Sequence, residues 1–385
     1  MPRQPLRLGM VGGGEGAFIG AVHRRAAALD GDWRLAAGSF SSDAGRNTRT
    51  GDALGLDARR VYPTLDAMIA GEHALPAAER IDAIAIVTPN YLHAPMAIAA
   101  LEAGFHVMCE KPMAMTVAEA EAIAAAVSAS GRQFALAFTY AAYPLIEEAR
   151  LRVSRGDLGP IRLVQVEYLQ GWLSQAIDRE GNRQAEWRTD PARAGAGGCL
   201  GDIGTHAFQL AEHVSGLRAD TLCADLATHV AGRRLDDDVS ALLRFEGGAR
   251  GVLKVTQVAA GEENGLRLRI HGAQGGLEWS QMEPNTLTLR WLDRPTEQVR
   301  AGGPSLDPSV AAQFRTPSGH PEGYIEAFAN IYRGLAAAVR GEKHPRFPDI
   351  ADGLRTMRFV EAVVANAASD SKWHAIDRDK EHRRD

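Results

Sequence analysis

Residues 1–140 alternate short apolar runs with alanine-rich stretches of helical character. This alternation is typical of a doubly wound parallel sheet that is covered by helices. Thr116 and Glu119 have the spacing of a capping box, which predicts a helix that ends before Gly131. The sequence therefore predicts an α/β domain, with strands at Leu6–Val11, Trp33–Gly38, Ile81–Thr88, Phe105–Cys109 and Phe134–Phe138.

Residues 141–385 have a different pattern, in which strand-like runs are separated by glycine-rich turns. They predict a second, α+β domain with a large, mostly antiparallel open sheet, and a chain of 385 residues is long enough for two cores. Two helices, at Gly323–Arg340 and near Ala351–Ala368, close the chain, and residues 377–385 are predicted to form a frayed tail. The predicted strands are Ile161–Gln170, Val239–Phe245, Arg250–Val258, Leu266–His271 and Thr286–Leu292.

The charge balance excludes some classes of partner. Charged residues make up 24% of the chain and the formal net charge is −5, so nucleic acid and anionic membranes are not expected as partners. The three cysteines, Cys109, Cys199 and Cys223, are widely spaced and odd in number, which favours a reducing compartment. We find neither an apolar signal region nor a run of about 18 apolar residues, and expect a cytoplasmic protein.

A glycine-rich loop, Val11–Gly20, follows the first predicted strand. Without side chains, its backbone N–H groups can approach a pyrophosphate at the start of the next helix. Two registers fit: Gly12, Gly14 and Ala17 match G-x-G-x-x-A, or Gly20 is the third glycine of a loop with three extra residues. We favour the second, because helix packing then starts at Gly20. An ordinary strand-to-helix turn is the alternative, but the position after the first strand favours dinucleotide binding by Gly12, Gly14, Ala17, Phe18 and Ile19.

The end of the second predicted strand bears on the choice between NAD and NADP. Ser41 aligns with the position at which NAD-binding units usually carry an acid for the ribose hydroxyls. A small hydroxyl leaves room for a 2′-phosphate, which Arg46 could bind with two hydrogen bonds. Asp43 argues the other way, since a two-residue shift would restore an acid, and plain turn chemistry would also explain Ser41 and Ser42. The cofactor is expected to be NAD or NADP, with NADP slightly favoured.

Polar residues follow two further predicted strands, at the carboxyl ends where open α/β sheets bind ligands. Thr88 ends the third strand and Pro89, Asn90 and His93 follow it, whereas Glu110, Lys111 and Pro112 follow the fourth. Far downstream lies Gly197–His206, which contains Asp202 and His206. If this segment opens a helix, these two residues, four apart, share one face.

The glycine loop, the E-K-P motif and the D-I-G-T-H motif together resemble the Gfo/Idh/MocA oxidoreductases, and the resemblance spans essentially the whole chain. It implies a Rossmann domain at 1–140 and a substrate-binding and oligomerisation domain at 141–385, whose open sheet forms homodimers or homotetramers. It also implies Lys111, Asp202 and His206 as the catalytic groups. The long glycine loop and the missing ribose acid depart from the family pattern, and they leave the choice between NAD and NADP open.

This resemblance implies an NAD(P)-dependent oxidoreductase that acts on a secondary alcohol of a sugar, glycoside, inositol or related polyol. His206 titrates in the right range to take the hydroxyl proton, Lys111 would bind the same oxygen, and Asp202 would orient the pair. A metal site is not expected, since Asp202 and His206 offer only two ligands. The nicotinamide side is assigned to Thr88, Pro89, Asn90, His93, Glu110 and Lys111. Substrate binding is assigned to Lys111, Tyr140, Tyr143, Trp172, Trp187, Arg188, Asp202 and His206.

Two other functions stay open at this point. Some relatives with this fold cleave glycosides through transient oxidation by a bound NAD, with no net cofactor turnover. Others keep the dinucleotide fold and act as non-catalytic sensors, although the presence of both Lys111 and His206 argues against that function.

Overall fold

The computed structural model describes residues 3–343 and 346–377. Residues 378–385, most of the predicted frayed tail, lie outside this part. The chain forms two compact units. The first comprises the chain up to Ala114, Ala118–Thr139 and Tyr324–Leu354, and the second comprises Met115–Val117, Tyr140–Gly323 and the chain from Arg355 onward.

The described strands form one sheet in each unit. The strands of the first unit are β1 (Leu6–Gly12), β2 (Trp33–Ser39), β3 (Ala83–Val87), β4 (His106–Cys109) and β5 (Phe134–Leu136). Those of the second are β6 (Ile161–Leu169), β7 (Ala219–Ala227), β8 (Asp238–Phe245), β9 (Arg250–Thr256), β10 (Gly265–Gly272), β11 (Gly275–Ser280), β12 (Thr286–Trp291), β13 (Glu297–Arg300) and β14 (His374–Ala375).

The helices are named in chain order over both units. They are α1 (Phe18–Leu29), α2 (Ala44–Ala53), α3 (Leu65–Ala74), α4 (His93–Glu102), α5 (Val117–Ser130), α6 (Pro144–Ser154), α7 (Arg183–Arg188), α8 (Pro191–Ala194), α9 (Thr205–Ser215), α10 (Pro308–Ala311), α11 (Tyr324–Val339) and α12 (Ile350–Ala367). No helix in the described ranges combines the length and the hydropathy that a membrane crossing requires.

The sheet of the first unit is parallel and has the strand order β2-β1-β3-β4-β5. The chain changes direction across the sheet between β1 and β3, where Gly12 pairs with Val87. In doubly wound sheets, ligands bind at the carboxyl ends of the strands beside such a switch point. The predicted doubly wound fold is confirmed, and the glycine loop and Thr88 lie at this point.

The first unit also contains a helix from near the end of the chain. Trp33 Nε1 of β2 donates to the backbone oxygen of Tyr332 in α11 at 2.8 Å, and Arg340 pairs with Asp32 at 2.6 Å. The residue range 141–385 assigned to the second domain thus includes a helix of the first compact unit. The proposed division of roles between the two domains stays a prediction.

The sheet of the second unit has the order β13-β12-β11-β10-β6-β9-β8-β7-β14. Its recorded strand pairs are antiparallel apart from β6 and β9, which run parallel. Buried and exposed residues alternate along β8, so one face packs on a core and the other faces outward. The predicted α+β domain with a mostly antiparallel open sheet is confirmed.

Candidate functional site

The glycine loop connects β1 to α1 by a path that depends on glycine. Gly12 has φ of +80°, and a Cβ atom there would lie 2.8 Å from the backbone oxygen of Val87. Only glycine adopts this conformation without strain and permits this contact. Ala17, the N-cap of α1, has no side-chain acceptor for the first N–H groups of the helix. Those groups remain available to an anion such as a pyrophosphate.

The two registers of the loop differ in where the helix packs on the sheet. A Cβ atom on Gly20 would lie 2.3 Å from the backbone oxygen of Gly13. The first turn of α1 therefore lies close to the glycine loop at Gly20, the position that the register with three extra residues gives to the third glycine. Phe18 begins α1 with 71% of its surface exposed. The cofactor contacts assigned to Gly12, Gly14, Ala17, Phe18 and Ile19 stay predictions.

The residues after β2 form a tight turn. Asp43 is the N-cap of α2, where its carboxylate accepts from the amide of Arg46 at 2.7 Å. The hydroxyl of Ser41 accepts from the amide of Asp43 at 3.1 Å. Asp43 and Ser41 therefore stabilise the turn through side-chain hydrogen bonds to the backbone, which is the alternative role considered for this segment from the sequence. Arg46 is the third residue of α2 and is half-buried.

The loop after β4 is held by a chain of buried hydrogen bonds. One carboxylate oxygen of Glu110 accepts from His23 Nε2 at 2.9 Å, and the other accepts from the amide of Lys111 at 3.0 Å. His23 Nδ1 in turn lies 2.7 Å from the hydroxyl of Tyr332. Burial opposes ionisation of Glu110, but the hydrogen bond from His23 and nearby positive charge outweigh it and lower the pKa of the carboxyl. Glu110 is thus a buried carboxylate beside Lys111.

His93 joins the loops that follow β3 and β4. Its ring nitrogens lie 2.8 Å from the backbone oxygen of Thr88 and 2.7 Å from that of Pro112. The ring is buried, and burial lowers its pKa despite these carbonyl contacts and the charge of Glu110. A neutral ring donates to only one of the two carbonyls and a protonated ring donates to both, so His93 contacts both loops in either state. Thr88, Pro89 and Asn90 lie on the first of these loops, where Asn90 is buried.

In the second unit, Asp202 and His206 lie on one continuous helical segment, as predicted. Leu200–Gly204 is a π-helical turn that leads directly into α9, which contains His206 in its first turn. Such turns are rare, and they occur frequently at functional sites. Gly198 permits the close approach at the start of this segment, since a Cβ atom there would lie 2.2 Å from the backbone oxygen of Asp236.

Asp236 holds the beginning of this segment from the adjacent β7–β8 connection. Its carboxylate accepts from the amides of Gly198 at 2.6 Å and Leu200 at 2.8 Å, and from the thiol of Cys199 at 3.2 Å. Burial raises the pKa of Asp236, although the two amides act in the opposite direction. One buried side chain thus fixes the turn from which Asp202 projects.

A polar network connects Asp202 to side chains at the ends of β6 and β9. Gln257 Nε2 donates to Asp202 Oδ2 at 2.9 Å and to Gln170 Oε1 at 3.2 Å. Gln170 Nε2 donates to Asn264 Oδ1 at 2.7 Å, and Trp172 Nε1 donates to Gln170 Oε1 at 3.0 Å. Gln257 is 2% exposed, so its amide has little alternative to these partners.

The same network extends to the ring of His206. The hydroxyls of Tyr140 and Tyr168 lie 2.6 Å apart, and Asn264 contacts both of them. The ring of Tyr140 meets that of His206 edge-on, with centroids 4.8 Å apart, and the ring of Tyr168 lies at 6.4 Å. His206 is 7% exposed. The arrangement keeps both Asp202 and His206 in fixed orientations.

Arg188 is placed against Asp202 by two tryptophans. Its Nε lies 3.3 Å from Asp202 Oδ2, and its guanidinium carbon lies 4.1 Å from the ring centroid of Trp187 and 6.0 Å from that of Trp172. These sequence-predicted residues are therefore brought together at Asp202. Tyr143 is buried between Tyr140 and Trp279, with ring centroids 6.5 and 5.4 Å away. Its assignment to substrate binding stays a prediction.

Several residues of these networks were missed in the sequence: His23, Tyr332, Tyr168, Gln170, Asp236, Gln257 and Asn264. Most of them are common residue types at strand ends or within helices, so no spacing distinguishes them. The run Asp236–Asp238 is a signal that could have been used, because three successive acids before a strand need partners.

The comparisons with known proteins agree over both units. The family model described as an oxidoreductase family with an NAD-binding Rossmann fold matches residues 6–138, and the GFO/IDH/MocA C-terminal domain model matches residues 146–278. The levoglucosan dehydrogenase of Pseudarthrobacter phenanthrenivorans is 30% identical over 76% of this chain and 79% of that protein.

Two solved structures of an inositol dehydrogenase homologue from Azotobacter vinelandii are similar along nearly the whole chain. The complex with NAD+ has a TM-score of 0.92 and 36% identity, covering 96% of this chain and 97% of that one. The complex with NADH and myo-inositol has a TM-score of 0.88 and 34% identity, with the same coverage. Together with the two matching family models, these likenesses show that the chain belongs to the Gfo/Idh/MocA family of NAD(P)-dependent oxidoreductases.

Proposed function

We propose that this enzyme transfers a hydride between a nicotinamide and a secondary alcohol carbon of a cyclic polyol or sugar. The observation that carries the proposal is the placement of Asp202 and His206 on one helical segment, in a network of amide and hydroxyl side chains. Groups of this kind both donate and accept hydrogen bonds, as ring hydroxyls do. The named relatives act on or bind compounds of this class, namely levoglucosan and myo-inositol.

The residues of the first unit fit a dinucleotide. The glycine loop provides close backbone approach, and the start of α1 provides N–H groups without a side-chain cap. The bound nicotinamide would supply the hydride acceptor or donor. Thr88, Pro89, Asn90 and Glu110 line the loops at the carboxyl ends of β3 and β4, and His93 fixes these loops to each other.

The acid–base work falls to the chain's own side chains. In the oxidative direction His206 takes the proton of the substrate hydroxyl as the general base. Lys111 donates a hydrogen bond to the same oxygen and stabilises the negative charge that develops there. Asp202 orients the pair, while Arg188 and Gln257 fix the Asp202 carboxylate. Tyr140, Trp172 and Trp187 supply aromatic surfaces for a ring substrate.

The turn after β2 supports an expectation about the cofactor preference. Asp43 caps α2, which commits one of its oxygens to the amide of Arg46. Ser41 offers a hydroxyl rather than a carboxylate to the ribose, so we expect NADP(H) to be accepted, with a slight preference over NAD(H). The expected result is that Arg46→Ala weakens NADP(H) binding about 10-fold, the loss of one charge-assisted pair, and leaves NAD(H) binding within about threefold.

Isothermal titration calorimetry with both cofactors measures this preference. Arg34→Ala, an exposed change on β2, serves as the matched control for the loss of a positive charge from the unit. A strong NAD preference that survives Arg46→Ala, and that Asp43→Ala removes, would assign the ribose contact to Asp43 instead.

The same proposal includes the oligomeric state and the cellular location of the enzyme. We propose a homodimer or homotetramer formed through the exposed face of the nine-stranded sheet, where Leu163, Leu242 and Val252 are each more than 40% exposed. Leu242 and Val252 lie directly opposite each other on β8 and β9. The three cysteines are free thiols, which supports a cytoplasmic enzyme.

A substrate screen tests the proposed activity. Inositols, monosaccharides, anhydrosugars and glycosides are each incubated with NAD and with NADP, and the absorbance of the reduced cofactor is followed. The expected result is stoichiometric cofactor reduction by at least one non-glycosidic polyol or sugar. Glycoside cleavage without net reduction would identify a hydrolase that uses transient oxidation, and binding of cofactor without any turnover would identify a sensor.

A further inference from the structure

The first unit contains a buried, titratable cluster in which only Glu110 has been given a role so far, on the nicotinamide side. It consists of Glu110, His23 and Tyr332, which come from the loop after β4, from α1 and from α11. His23 is 0% exposed, Tyr332 is 1% exposed and Glu110 is 8% exposed. An ionised carboxylate at this depth needs compensating donors, and an apolar group of similar size would otherwise be as stable.

The hydrogen bonds of the cluster have a defined direction. The ionised Glu110 can only accept, so His23 Nε2 carries a hydrogen and donates to Glu110 Oε1. Nδ1 then lies 2.7 Å from the hydroxyl of Tyr332. The hydroxyl can donate to Nδ1 of a neutral ring or accept from Nδ1 of a protonated ring, so the contact holds in both states. The edge of Phe328, at a ring-centroid distance of 4.8 Å, closes the pocket around His23. The imidazole therefore has one orientation.

This chain of bonds ends on the residue that the proposed mechanism requires. The second oxygen of Glu110 accepts from the backbone amide of Lys111 at 3.0 Å. The amide of Glu110 itself is bonded to the backbone oxygen of Ile86 in β3 at 3.0 Å. Glu110 is thus fixed on both sides, and the backbone from which the Lys111 side chain starts is fixed with it.

We propose that His23 is a positioning residue for Lys111: held by Tyr332, it orients the Glu110 carboxylate, which in turn fixes the Lys111 backbone for catalysis. The inference rests on the role proposed for Lys111 in the reaction. It assigns a kinetic role to a fully buried histidine within α1. Misplacement of a catalytic group by about 1 Å can cost about 100-fold in rate. The benefit of a rigid support for Lys111 therefore offsets the energetic cost of burying the Glu110 carboxylate.

The test compares four variants by kcat, by the KM of the cofactor and by thermal unfolding. His23→Leu removes both hydrogen bonds, His23→Gln keeps an N–H donor for Glu110, and Tyr332→Phe removes the hydroxyl alone. Trp33→Phe is the matched control, because it deletes a buried hydrogen bond to the backbone of Tyr332 without touching Glu110. Each variant is made in the parent and in Lys111→Ala, with single-turnover measurement of the residual rate.

For His23→Leu we expect kcat to fall about 10–100-fold with the cofactor KM changed less than about threefold, as for the loss of other supporting residues. His23→Gln should regain most of that loss, and Tyr332→Phe should lower kcat about 2–5-fold, the effect of one hydrogen bond. Trp33→Phe should lower the unfolding temperature and leave kcat unchanged. In the Lys111→Ala background, the additional His23→Leu change should alter the residual rate less than about twofold, because the effects of residues that act as a unit are not additive.

Three outcomes would overturn the inference. The first is an unchanged kcat in folded His23→Leu, and the second is an equal loss of kcat in His23→Gln and His23→Leu when their unfolding temperatures are equal. The third is that His23→Leu lowers the rate by the same factor in the Lys111→Ala background as in the parent. If His23→Leu does not fold, Tyr332→Phe in the two backgrounds decides between coupling and independence. A parental kcat in Lys111→Ala would instead overturn the proposed role of Lys111, and the inference with it.

Discussion

Lys111→Ala and His206→Ala are each expected to abolish most turnover while dinucleotide binding stays largely intact. Removal of a positioned proton-transfer group costs about 10²–10⁴ in rate. Both residues are proposed to act on one substrate oxygen, so the double variant should be little slower than the slower single variant. Steady-state kinetics with the best substrate of the screen, together with calorimetric titration of the cofactor, measure both parts of this expectation.

Asp202→Asn is the control for this pair. It keeps the shape of the side chain and the contact with Gln257, but it removes the charge that faces Arg188. Its turnover should fall between that of the parent and those of the alanine variants. Near-normal turnover in either alanine variant, on a substrate that the parent processes well, would show that the residue concerned has been assigned wrongly.

Asp236→Ala is expected to lower kcat about 100-fold, because the turn that carries Asp202 would shift. The change leaves the buried amides of Gly198 and Leu200 without their side-chain acceptor, and the thiol of Cys199 keeps only its long contact with the backbone oxygen of Val255. Each buried donor left unsatisfied costs about 1–3 kcal/mol, so the unfolding temperature should fall as well. Cofactor affinity should stay within about threefold, since the glycine loop lies in the other unit.

Asp237→Ala separates loss of stability from loss of position. Asp237 is as deeply buried and accepts from the amides of His229 and Val230 and from the guanidinium of Arg233, outside the catalytic segment. We expect at least as large a fall in unfolding temperature for this variant, because Arg233 also loses a buried partner, with kcat of the folded enzyme within about threefold of the parent. Equal losses of kcat in the two variants would contradict a specific role for Asp236.

The elements whose signal is local could be predicted from the sequence. The capping-box spacing at Thr116 and Glu119 predicted a helix that ends before Gly131, and α5 spans Val117–Ser130. The strands of the first unit were predicted because their apolar runs are nearly continuous, as in β3. The predicted range of β3 was longer than the observed Ala83–Val87 by two residues at the N-terminal end and one at the C-terminal end.

The strands missed in the second unit lack such a signal. β7 contains Asp220 and Asp225 and has no regular alternation of burial, and β11 begins with Gly275 and Gly276. Such strands form because their neighbours in the sheet offer pairing partners, which a single segment of sequence does not reveal. β13 and β14 are short edge strands with the same difficulty.

The candidate site divides in the same way. Glycines and motif residues were predictable because close backbone approach and proton transfer each require particular residue types, as at Gly20 and His206. The supporting residues were not predictable, because any hydrogen-bonding side chain of the right length can hold a catalytic group in place. His23 and Glu110 are 87 positions apart in the chain, and only the fold brings them together.

Transfer of a deuterium label tests the proposed function most directly. A polyol or sugar that the screen identifies is prepared with deuterium on its ring carbons and is oxidised by the enzyme, and the reduced cofactor is isolated for mass spectrometry. The expected result is one deuterium on the nicotinamide for each molecule of ketone formed, and a primary isotope effect on the single-turnover rate. Ketone formed with an unlabelled cofactor, or reduced cofactor formed without any ketone, would contradict direct hydride transfer from a secondary alcohol carbon.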